Sequence, residues 1–431
     1  MKVPFISVIA LMLASANSAY SVEAAKTVTS SAPSVLLSGI NSKYIDSKVN
    51  AQDDFYRHVN GKWLKSSEIA SDKSSAGAFM DLREATIPRL YAIIEALAKQ
   101  HAKTGTDAQK IADLYANFMD TAKIETLGLT PMERDFAKVA ALSGKDQIPG
   151  FIAYLNLISV PAPFDIGVHQ DNKDSSKYVL DIGQSGLGMP DRDYYLNNDD
   201  AKLKDTRAKY LKHIEKMLSL AGDKDAAKNA ADILALETKL AKVQWTKIEI
   251  SKLDALTPGF GWISYLSNLG LQGKLDTLMV SQPSYLTGFN KVLQESSLDA
   301  WKAYFKWHLL SATANQLPKA FDEENFAFYG TTLSGTPSQE VRWKRGVRLA
   351  DAGLGESLGK LYVEKHFPAQ SKVKMEKLVG DLLLAYKQSI DTLDWMSPET
   401  KKEAQSKLAT FMPKIGYPNK WRDYSALVIK K

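Results

Sequence analysis

The 431-residue sequence contains no cysteine. This absence excludes disulfide bonds, thiol nucleophiles and zinc sites built from thiolates. An exported protein without disulfides must draw its stability from a hydrophobic core, which suits a bacterial periplasmic protein better than a eukaryotic ectodomain. Hydrophobic residues make up 45% of the chain and charged residues 24%, as is typical of a soluble globular protein. The length allows two or three domains.

Histidine is also scarce, and its spacing excludes a common zinc site. The six histidines are His58, His101, His169, His213, His308 and His366, and no two are four residues apart. One helix therefore cannot present two imidazoles to a metal ion, and His-Glu-x-x-His does not occur. The acidic clusters at 199–200 and 322–324 have no neighbouring histidine, so we interpret them as solvated surface charge. Spacing alone thus predicts no catalytic residue and no metal ligand.

Other functional signatures are missing as well. The glycine-rich residues 183–188 lack the Gly-Lys-Ser/Thr ending of a phosphate-binding loop. The net charge is only +6, and lysines and arginines are spread among 49 acidic residues. No basic block indicates nucleic-acid binding, so we expect no such partner.

The first residues have the pattern of an export signal. Lys2 precedes a short apolar run at 3–14, and small residues follow at spacings suited to cleavage, at 14–16, 16–18 or 22–24. We predict a signal peptide at 1–24 and an exported protein, periplasmic or secreted. A membrane anchor or a buried helix is the alternative, although the run is short of the ~20 residues that span a bilayer. No later segment is apolar enough to span a membrane, so we expect none after signal cleavage.

Apolar residues at helical spacing dominate the rest of the chain. They recur in Ile111, Leu114, Tyr115, Phe118 and Met119. A longer stripe consists of Met375, Leu378, Val379, Leu382, Leu383, Tyr386, Ile390 and Leu393. We predict core packing for both stripes, and Ser397 before Pro398 predicts the N-cap of a further helix.

Two alternating segments interrupt the helical pattern. Residues 164–169 and 178–182 alternate apolar and polar side chains, and a polar turn lies between them. This arrangement predicts a β-hairpin at about residues 164–182. The expected fold class is therefore mainly α, a multi-helix lobe with one small hairpin.

Several segments resemble the neprilysin family of zinc metalloendopeptidases, in the family's own order. Residues 53–64, which read Asp-Asp-Phe-Tyr-Arg-His-Val-Asn-Gly-Lys-Trp-Leu, are similar to its opening segment. Residues 186–196, which read Gly-Leu-Gly-Met-Pro-Asp-Arg-Asp-Tyr-Tyr-Leu, are similar to its most recognisable N-terminal signature. Further similar segments are 237–241, 340–345 (with Val341 in place of the family's proline), 361–368 and 414–418.

The resemblance implies a helical lobe that covers a thermolysin-like catalytic lobe and encloses a chamber for peptides. It also implies zinc, held by two histidines and a downstream glutamate, for the full-length family enzyme. Because those residues would follow Lys431, we expect the catalytic domain to be absent and this chain to bind no zinc. The expected division is a signal peptide at 1–24, an extended N-terminal strap at 25–65, a helical peptidase domain at 66–424 and a truncated tail at 425–431.

The resemblance also implies one substrate-binding residue, Arg83. Family members bind the C-terminal side of the substrate with arginines on the helix after the opening segment, and Arg83 matches one of those positions. Ser75 stands where neprilysin has the arginine that grips a free carboxylate, which favours cleavage inside longer peptides. The alternative for Arg83 is a surface ion pair with Asp81 or Glu84.

A second group of matched residues has the character of structural anchors rather than of catalytic groups. In the opening segment these anchors would hold the strap against the other lobe, and in the later segments they would form turns and packing contacts. They are Asp53, Asp54, Asn60, Gly61, Trp63, Pro190, Asp191, Tyr194, Arg342 and Trp343.

Two functional hypotheses follow. In the first, the chain is the N-terminal part of an exported zinc metalloendopeptidase that cleaves peptides, and it is inactive alone. In the second, it is a non-catalytic helical protein that binds peptides or pairs with a separate catalytic lobe. The apolar residues near the C-terminus have no evident partner in the sequence, which favours the first hypothesis.

Overall fold

The fold is that of a computed structural model, which describes residues 41–430 apart from 172–173, 175, 247–261 and 272–277. The predicted signal peptide at 1–24 and residues 25–40 of the predicted strap lie outside the described residues. No helix in the described part of the chain is long and apolar enough to cross a bilayer.

Helices make up most of the described residues, which confirms the predicted fold class. The N-terminal helices are α1 (Phe55–Ser66), α2 (Ala78–Ala98), α3 (Asp107–Met119), α4 (Thr121–Leu127), α5 (Glu133–Ala140) and α6 (Ile148–Leu157). The central helices are α7 (Asp193–Leu196), α8 (Ala201–Leu220), α9 (Ala226–Val243), α10 (Trp262–Asn268), α11 (Pro283–Glu295), α12 (Leu298–Thr313) and α13 (Lys319–Asn325). A π-helix (Phe326–Leu333) precedes α14 (Arg342–His366), α15 (Ala369–Thr392) and α16 (Pro398–Ala409). Short 3-10 helices lie at Ser42–Tyr44, Thr130–Met132, Lys145–Gln147 and Ala314–Gln316.

Polar side chains explain where several helices begin. Asp54, Thr106, Asp200 and Ser297 each accept a hydrogen bond from a backbone N–H in the first turn of the helix that follows. Ser397 caps α16 in the same way, as the sequence predicts, and its hydroxyl accepts from the N–H of Thr400 at 3.2 Å. Such caps satisfy backbone donors that have no partner within the helix.

The predicted hairpin is present and is extended by a third strand. Strand β1 (Phe164–Gln170) pairs antiparallel with β2 (Tyr178–Gln184), with Phe164 opposite Gln184. Strand β3 (Leu278–Val280) adds to β2 in parallel, so the strand order is β1-β2-β3. Sequence alternation identified β1 and β2, whereas the three residues of β3 are too few to show a period.

A large aromatic core fills the centre of the lobe. It gathers apolar side chains from between Met132 and Phe328, and its largest buried residues include Trp301, Trp307, Tyr304 and Phe305. Many of these rings meet edge to face, for example Phe289 and Trp301 at 5.9 Å between centroids. Each such pair adds ~1 kcal/mol to the free energy gained by burying the rings, so ring packing stabilises a chain that has no cysteine for disulfides.

A second, smaller core joins α2, α3 and α14. Ile94, Ile111 and Leu354 are fully buried there, and Trp343 packs on Tyr91 with 5.0 Å between ring centroids. The predicted apolar face of α3 is confirmed, because its residues Ile111, Tyr115 and Phe118 are buried.

The two cores meet at a polar connection that we call the Asp322 joint. The Asp322 carboxylate, in α13 of the large core, is only 4% exposed. Arg345 Nη1 donates to both of its oxygens at 2.8 and 2.9 Å, and Gln339 Nε2 donates to Oδ1 at 2.8 Å. Arg342 lies 3.8 Å from the same carboxylate and donates through Nε and Nη2 to the carbonyl of Phe118, near the end of α3.

The predicted extended strap is wrong for its last residues. Residues 55–65 form most of helix α1, because Asp54 caps the first turn: its Oδ1 accepts from the N–H of Arg57 at 2.8 Å. The helix leaves Phe55 and Tyr56 exposed, and Asp46 holds it through an ion pair with Lys65 at 2.6 Å.

The predicted core packing of the long stripe is also wrong. The helix is present as α15, but no residue in it is buried, and Met375, Leu378, Leu382 and Tyr386 are exposed. The sequence period shows which face of the helix is apolar, but it does not supply the element that covers that face. Among the described residues, α16 is the main element in contact with α15.

The expectation that the C-terminal apolar residues lack partners is wrong in part. Tyr424 and Ile429 pack against the second core. The side chains of Gln109 and Lys110 on α3 donate to the carbonyls of Ile429 and Tyr424 at 3.0 and 2.6 Å. Residues 424–430 therefore lie along α3, although Val428 is exposed.

The Asp322 joint predicts that removing the charge of Asp322 lowers the stability of the fold. Asp322→Asn removes the charge that faces Arg345, and we expect it to lower the free energy of unfolding by ~3–5 kcal/mol. Its neighbour Glu323→Gln is the matched control, since Glu323 is exposed and forms only a 3.4 Å pair with Lys319, a type worth ~0.5 kcal/mol. Urea unfolding of both variants measures the difference. Equal losses would show that the joint does not hold the cores together.

Candidate functional site

The buried histidines are engaged in pairs rather than in a metal centre. His213 Nδ1 lies 2.9 Å from Glu324 Oε1, and His308 Nε2 lies 3.0 Å from Glu237 Oε1. Across the described ranges, no group of three or more His, Asp or Glu side chains could hold a metal ion. One imidazole and one carboxylate do not make the three-ligand set that a catalytic zinc needs.

Glu237 is the centre of a buried hydrogen-bond network that the sequence did not reveal. Its carboxylate is fully buried and accepts from Tyr195 Oη at 2.7 Å, Tyr210 Oη at 3.0 Å and His308 Nε2 at 3.0 Å. Burial, and next the charge of Glu237, raise the pKa of both tyrosines, so their hydroxyls keep the protons that they donate. The network joins α7, α8, α9 and α12. Tyr195 and Glu237 both fall in family-like segments, which is the signal that could have identified them.

The acidic cluster at 322–324 is not solvated surface charge, as we expected from the sequence. Asp322 forms the joint described above, and Glu324 binds the buried His213. Only Glu323 is a surface residue, in an i,i+4 pair with Lys319. The expectation failed because both partners are remote in sequence and can be seen only once α8, α13 and α14 are packed.

Arg83, the predicted substrate contact, lies on an exposed face near the start of α2. The same face carries two apolar side chains, Phe79 and Leu82, which are 90% and 66% exposed. Within the described residues Arg83 makes no ion pair, so the alternative pairing with Asp81 or Glu84 is not found. Residues one or two apart on a helix do not face each other, which explains this result. Arg83 is close enough to Asp351 to oppose the rise that burial causes in the pKa of that carboxyl.

The signature residues of the opening segment lie within helix α1 or directly before it. Asp54 is its cap, and Asn60 Nδ2 donates back to the carbonyl of Tyr56 at 3.1 Å. Gly61 is buried, and a Cβ added there would lie 2.6 Å from the Cβ of Asp46. Asp53 is exposed and Trp63 half-buried. That these residues anchor this segment to another lobe stays a prediction.

The second signature forms a turn between the sheet and α7. Asp191 Oδ1 accepts from the N–H of Asp193 at 2.9 Å, Tyr194 packs at the edge of the large core, and Pro190 is exposed. Gly188 allows a close approach, since a Cβ there would lie 1.8 Å from the hydroxyl oxygen of Tyr210. Through these contacts the signature lies directly against the Glu237 network.

Comparison with known proteins identifies the class to which this helical lobe belongs. The model of the N-terminal part of peptidase family M13 matches residues 51–418, and the chain therefore belongs to that family. This result confirms the resemblance to neprilysin-type peptidases.

Individual relatives agree with this assignment but extend well beyond the chain. The chain is 27% identical over 420 residues to endothelin-converting enzyme 1 of Mus musculus, covering 91% of the chain and 53% of that enzyme. It is 27% identical over 390 residues to a neutral endopeptidase of Lactobacillus helveticus, covering 87% and 60%. An inhibitor complex of the Mycobacterium tuberculosis zinc metalloprotease ZMP1 is similar with a TM-score of 0.84 and 37% identity, covering 91% and 61%. The chain thus spans little more than half the length of these relatives.

His213 predicts a pH-dependent stability. It is 2% exposed and stacked on Phe328, and its Nε2 has no hydrogen-bond partner within the described residues. Burial lowers its pKa below the ordinary 6.5, although Glu324 acts in the opposite direction. As the pH falls, His213 is therefore protonated in the unfolded chain before it is protonated in the folded chain. The contribution to stability is complete above pH 6.5 and is lost as the pH falls from there through the folded-state pKa.

The measurement compares wild type with His213→Phe, which keeps the ring contacts. Urea midpoints at pH values from 7.5 downwards should decline more steeply for the wild type than for the variant. Other acidic groups titrate in both proteins, so only the difference between the two slopes counts. Parallel curves would contradict the assignment of a depressed pKa to His213.

Proposed function

We propose that the chain is the helical, substrate-covering part of an exported zinc metalloendopeptidase that hydrolyses peptides. Membership of family M13, across residues 51–418, is the observation that carries this proposal. The names of the relatives point in the same direction, since they include endopeptidases and a zinc metalloprotease. The signal-like residues 1–24 support export to the periplasm or beyond the cell.

The zinc of such an enzyme does not fit the described residues. The buried imidazoles of His213 and His308 each bind one glutamate, and no third ligand converges on either pair. In this proposal the metal is held by a catalytic lobe outside the described residues, in the same polypeptide or in a separate chain. We derive no zinc-dependent step from the residues described.

The exposed apolar side chains indicate where that lobe would pack. Most of the large ones lie in two parts of the chain, residues 55–69 and 373–428. The second part includes Leu378, Leu382 and Tyr386 on α15 and Trp395 after it. Exposed apolar surface of this extent marks an interaction site rather than ordinary solvent-facing structure. These two surfaces are the proposed contacts with the catalytic lobe.

The face of α2 that carries Arg83 is the proposed peptide-binding surface. Phe79 and Leu82 offer apolar contact, and the guanidinium offers hydrogen bonds to a backbone carbonyl or a carboxylate of the peptide. Phe79, Leu82 and Arg83 are at i, i+3 and i+4 and therefore lie on one face of the helix.

Arg83→Met tests this surface. Because a hydrogen bond from a charged group contributes ~1.5–3 kcal/mol, we expect the variant to bind an unstructured oligopeptide ~10-fold more weakly. Calorimetric titration of the chain with the oligopeptide measures the dissociation constant. Arg134→Met, which removes the same charge from an exposed position on α5, should bind as the wild type does. Equal affinity of the two variants would exclude Arg83 as a contact.

The α15 surface predicts binding of hydrophobic dyes. The double variant Leu378→Gln and Leu382→Gln should reduce the fluorescence of a bound dye, because it removes two exposed apolar side chains from the proposed interface. Leu157→Gln on α6 is the control, since Leu157 is also exposed but lies outside both surfaces. If the α15 double variant and Leu157→Gln lose equal dye fluorescence, the α15 face does not bind the dye more strongly than other exposed apolar residues do.

A further inference from the structure

The first turns of α2 are attached to the lobe without hydrophobic burial. The helix begins at Ala78, but its buried apolar residues are Ile87, Ile93, Ile94 and Leu97. The turns before Ile87 carry the exposed Phe79, Leu82 and Arg83. Something other than apolar packing must therefore fix the direction of the Arg83 side chain.

Six charged side chains supply that attachment, and we call them the Lys73 cluster: Asp72, Lys73, Glu84, Glu340, Lys344 and Arg348. Lys73 Nζ lies 2.9 Å from Asp72, 3.2 Å from Glu84 and 3.0 Å from Glu340. Lys344 Nζ lies 2.6 Å from Glu84, and Arg348 binds Glu340 through Nε and Nη2 at 2.7 and 2.8 Å. Three cations face three anions, so the cluster is electrically balanced.

The cluster is compact and shielded from solvent. The side chains of Lys73 and Glu340 are both only 12% exposed. Burial would raise the pKa of Glu340, but the hydrogen bonds from Arg348 and Lys73 outweigh it and the pKa is lowered. These carboxylates therefore stay charged at neutral pH, and screening by salt is weaker than for surface pairs.

The cluster joins three parts of the chain near the start of α2, beyond the apolar contacts that α2 and α14 make in the second core. Asp72 and Lys73 belong to the connection between α1 and α2, Glu84 to α2, and the remaining members to α14 and the residue pair before it. Ser338 strengthens the same connection, since its N–H donates to the carbonyl of Ser71 at 2.9 Å. Lys73 touches all three acids and is the central member.

We propose that Lys73 is a positioning residue, which holds the first turns of α2 against α14 so that Arg83 is presented to a peptide. The inference rests on the proposed function, because Arg83 is there the peptide contact. Glu84 is the direct link: it is the neighbour of Arg83 in the helix, and it is bound by Lys73 and Lys344 on the side away from solvent. Arg83 itself is left unpaired among the described residues.

Lys73→Met tests the role of the central cation in the full chain. We expect it to weaken oligopeptide binding ~10-fold and to speed amide hydrogen exchange in residues 78–86, while exchange in α3 stays as in the wild type. Lys73→Arg keeps the charge and should restore most of the affinity. Lys209→Met is the control, because Lys209 makes a single exposed i,i+4 pair with Asp205.

The double variant Lys73→Met/Arg83→Met distinguishes this inference from the proposed function. If Lys73 acts through Arg83, the double variant binds no more weakly than Arg83→Met alone. Additive losses, or unchanged exchange in residues 78–86 of Lys73→Met, would overturn the positioning role. If Arg83→Met binds the oligopeptide like the wild type, Arg83 is not a peptide contact and the proposed function loses that contact. The exchange experiment then still decides whether the Lys73 cluster holds the first turns of α2.

Discussion

One carboxylate holds the two parts of this lobe together. Asp322 stands at the end of the large aromatic core, and the two arginines that it binds open helix α14 of the smaller core. The bond to Arg345 is charge-assisted on both oxygens, and Arg342 continues the chain of contacts to the carbonyl of Phe118 on α3. The helices α2 and α14, with the surface that carries Arg83, are linked to the large core by this connection.

The interior uses charge in two different ways. In the large core, Glu237 accepts hydrogen bonds from Tyr195, Tyr210 and His308, and aromatic rings such as Trp307 pack against the network. At the start of α2, by contrast, balanced ion pairs replace apolar packing. Ion pairs at partial exposure contribute less free energy than buried aromatic side chains. The first turns of α2 are thus attached more weakly than the aromatic core behind them.

Local patterns predicted local structure well. The alternation at 164–182 gave the hairpin, Ser397 gave a cap, and the period around Ile111 gave a buried helix face. The same kind of period on α15 predicted the helix correctly but not its exposure, because a period defines an apolar face and says nothing about what covers it. Asp322 and Glu324 were misjudged for a related reason. Their partners Arg345 and His213 are 23 and 111 residues away and could not be inferred from spacing. The family resemblance is the only basis in the sequence for predicting a role for Arg83, whereas the Lys73 cluster depends on packing alone.

The contact between Lys110 and Tyr424 bears on how the lobe can be divided for laboratory use. Lys110 is 1% exposed, and its ammonium is satisfied by the Tyr424 carbonyl, with Asp107 4.0 Å away. The family match ends at residue 418, which would be a natural choice for an expression boundary. A fragment cut there would leave a sequestered cation with only that distant carboxylate, and would strip Tyr424 and Ile429 from the smaller core. A fragment that keeps these contacts therefore extends to residue 430, whose carbonyl accepts from Asn117.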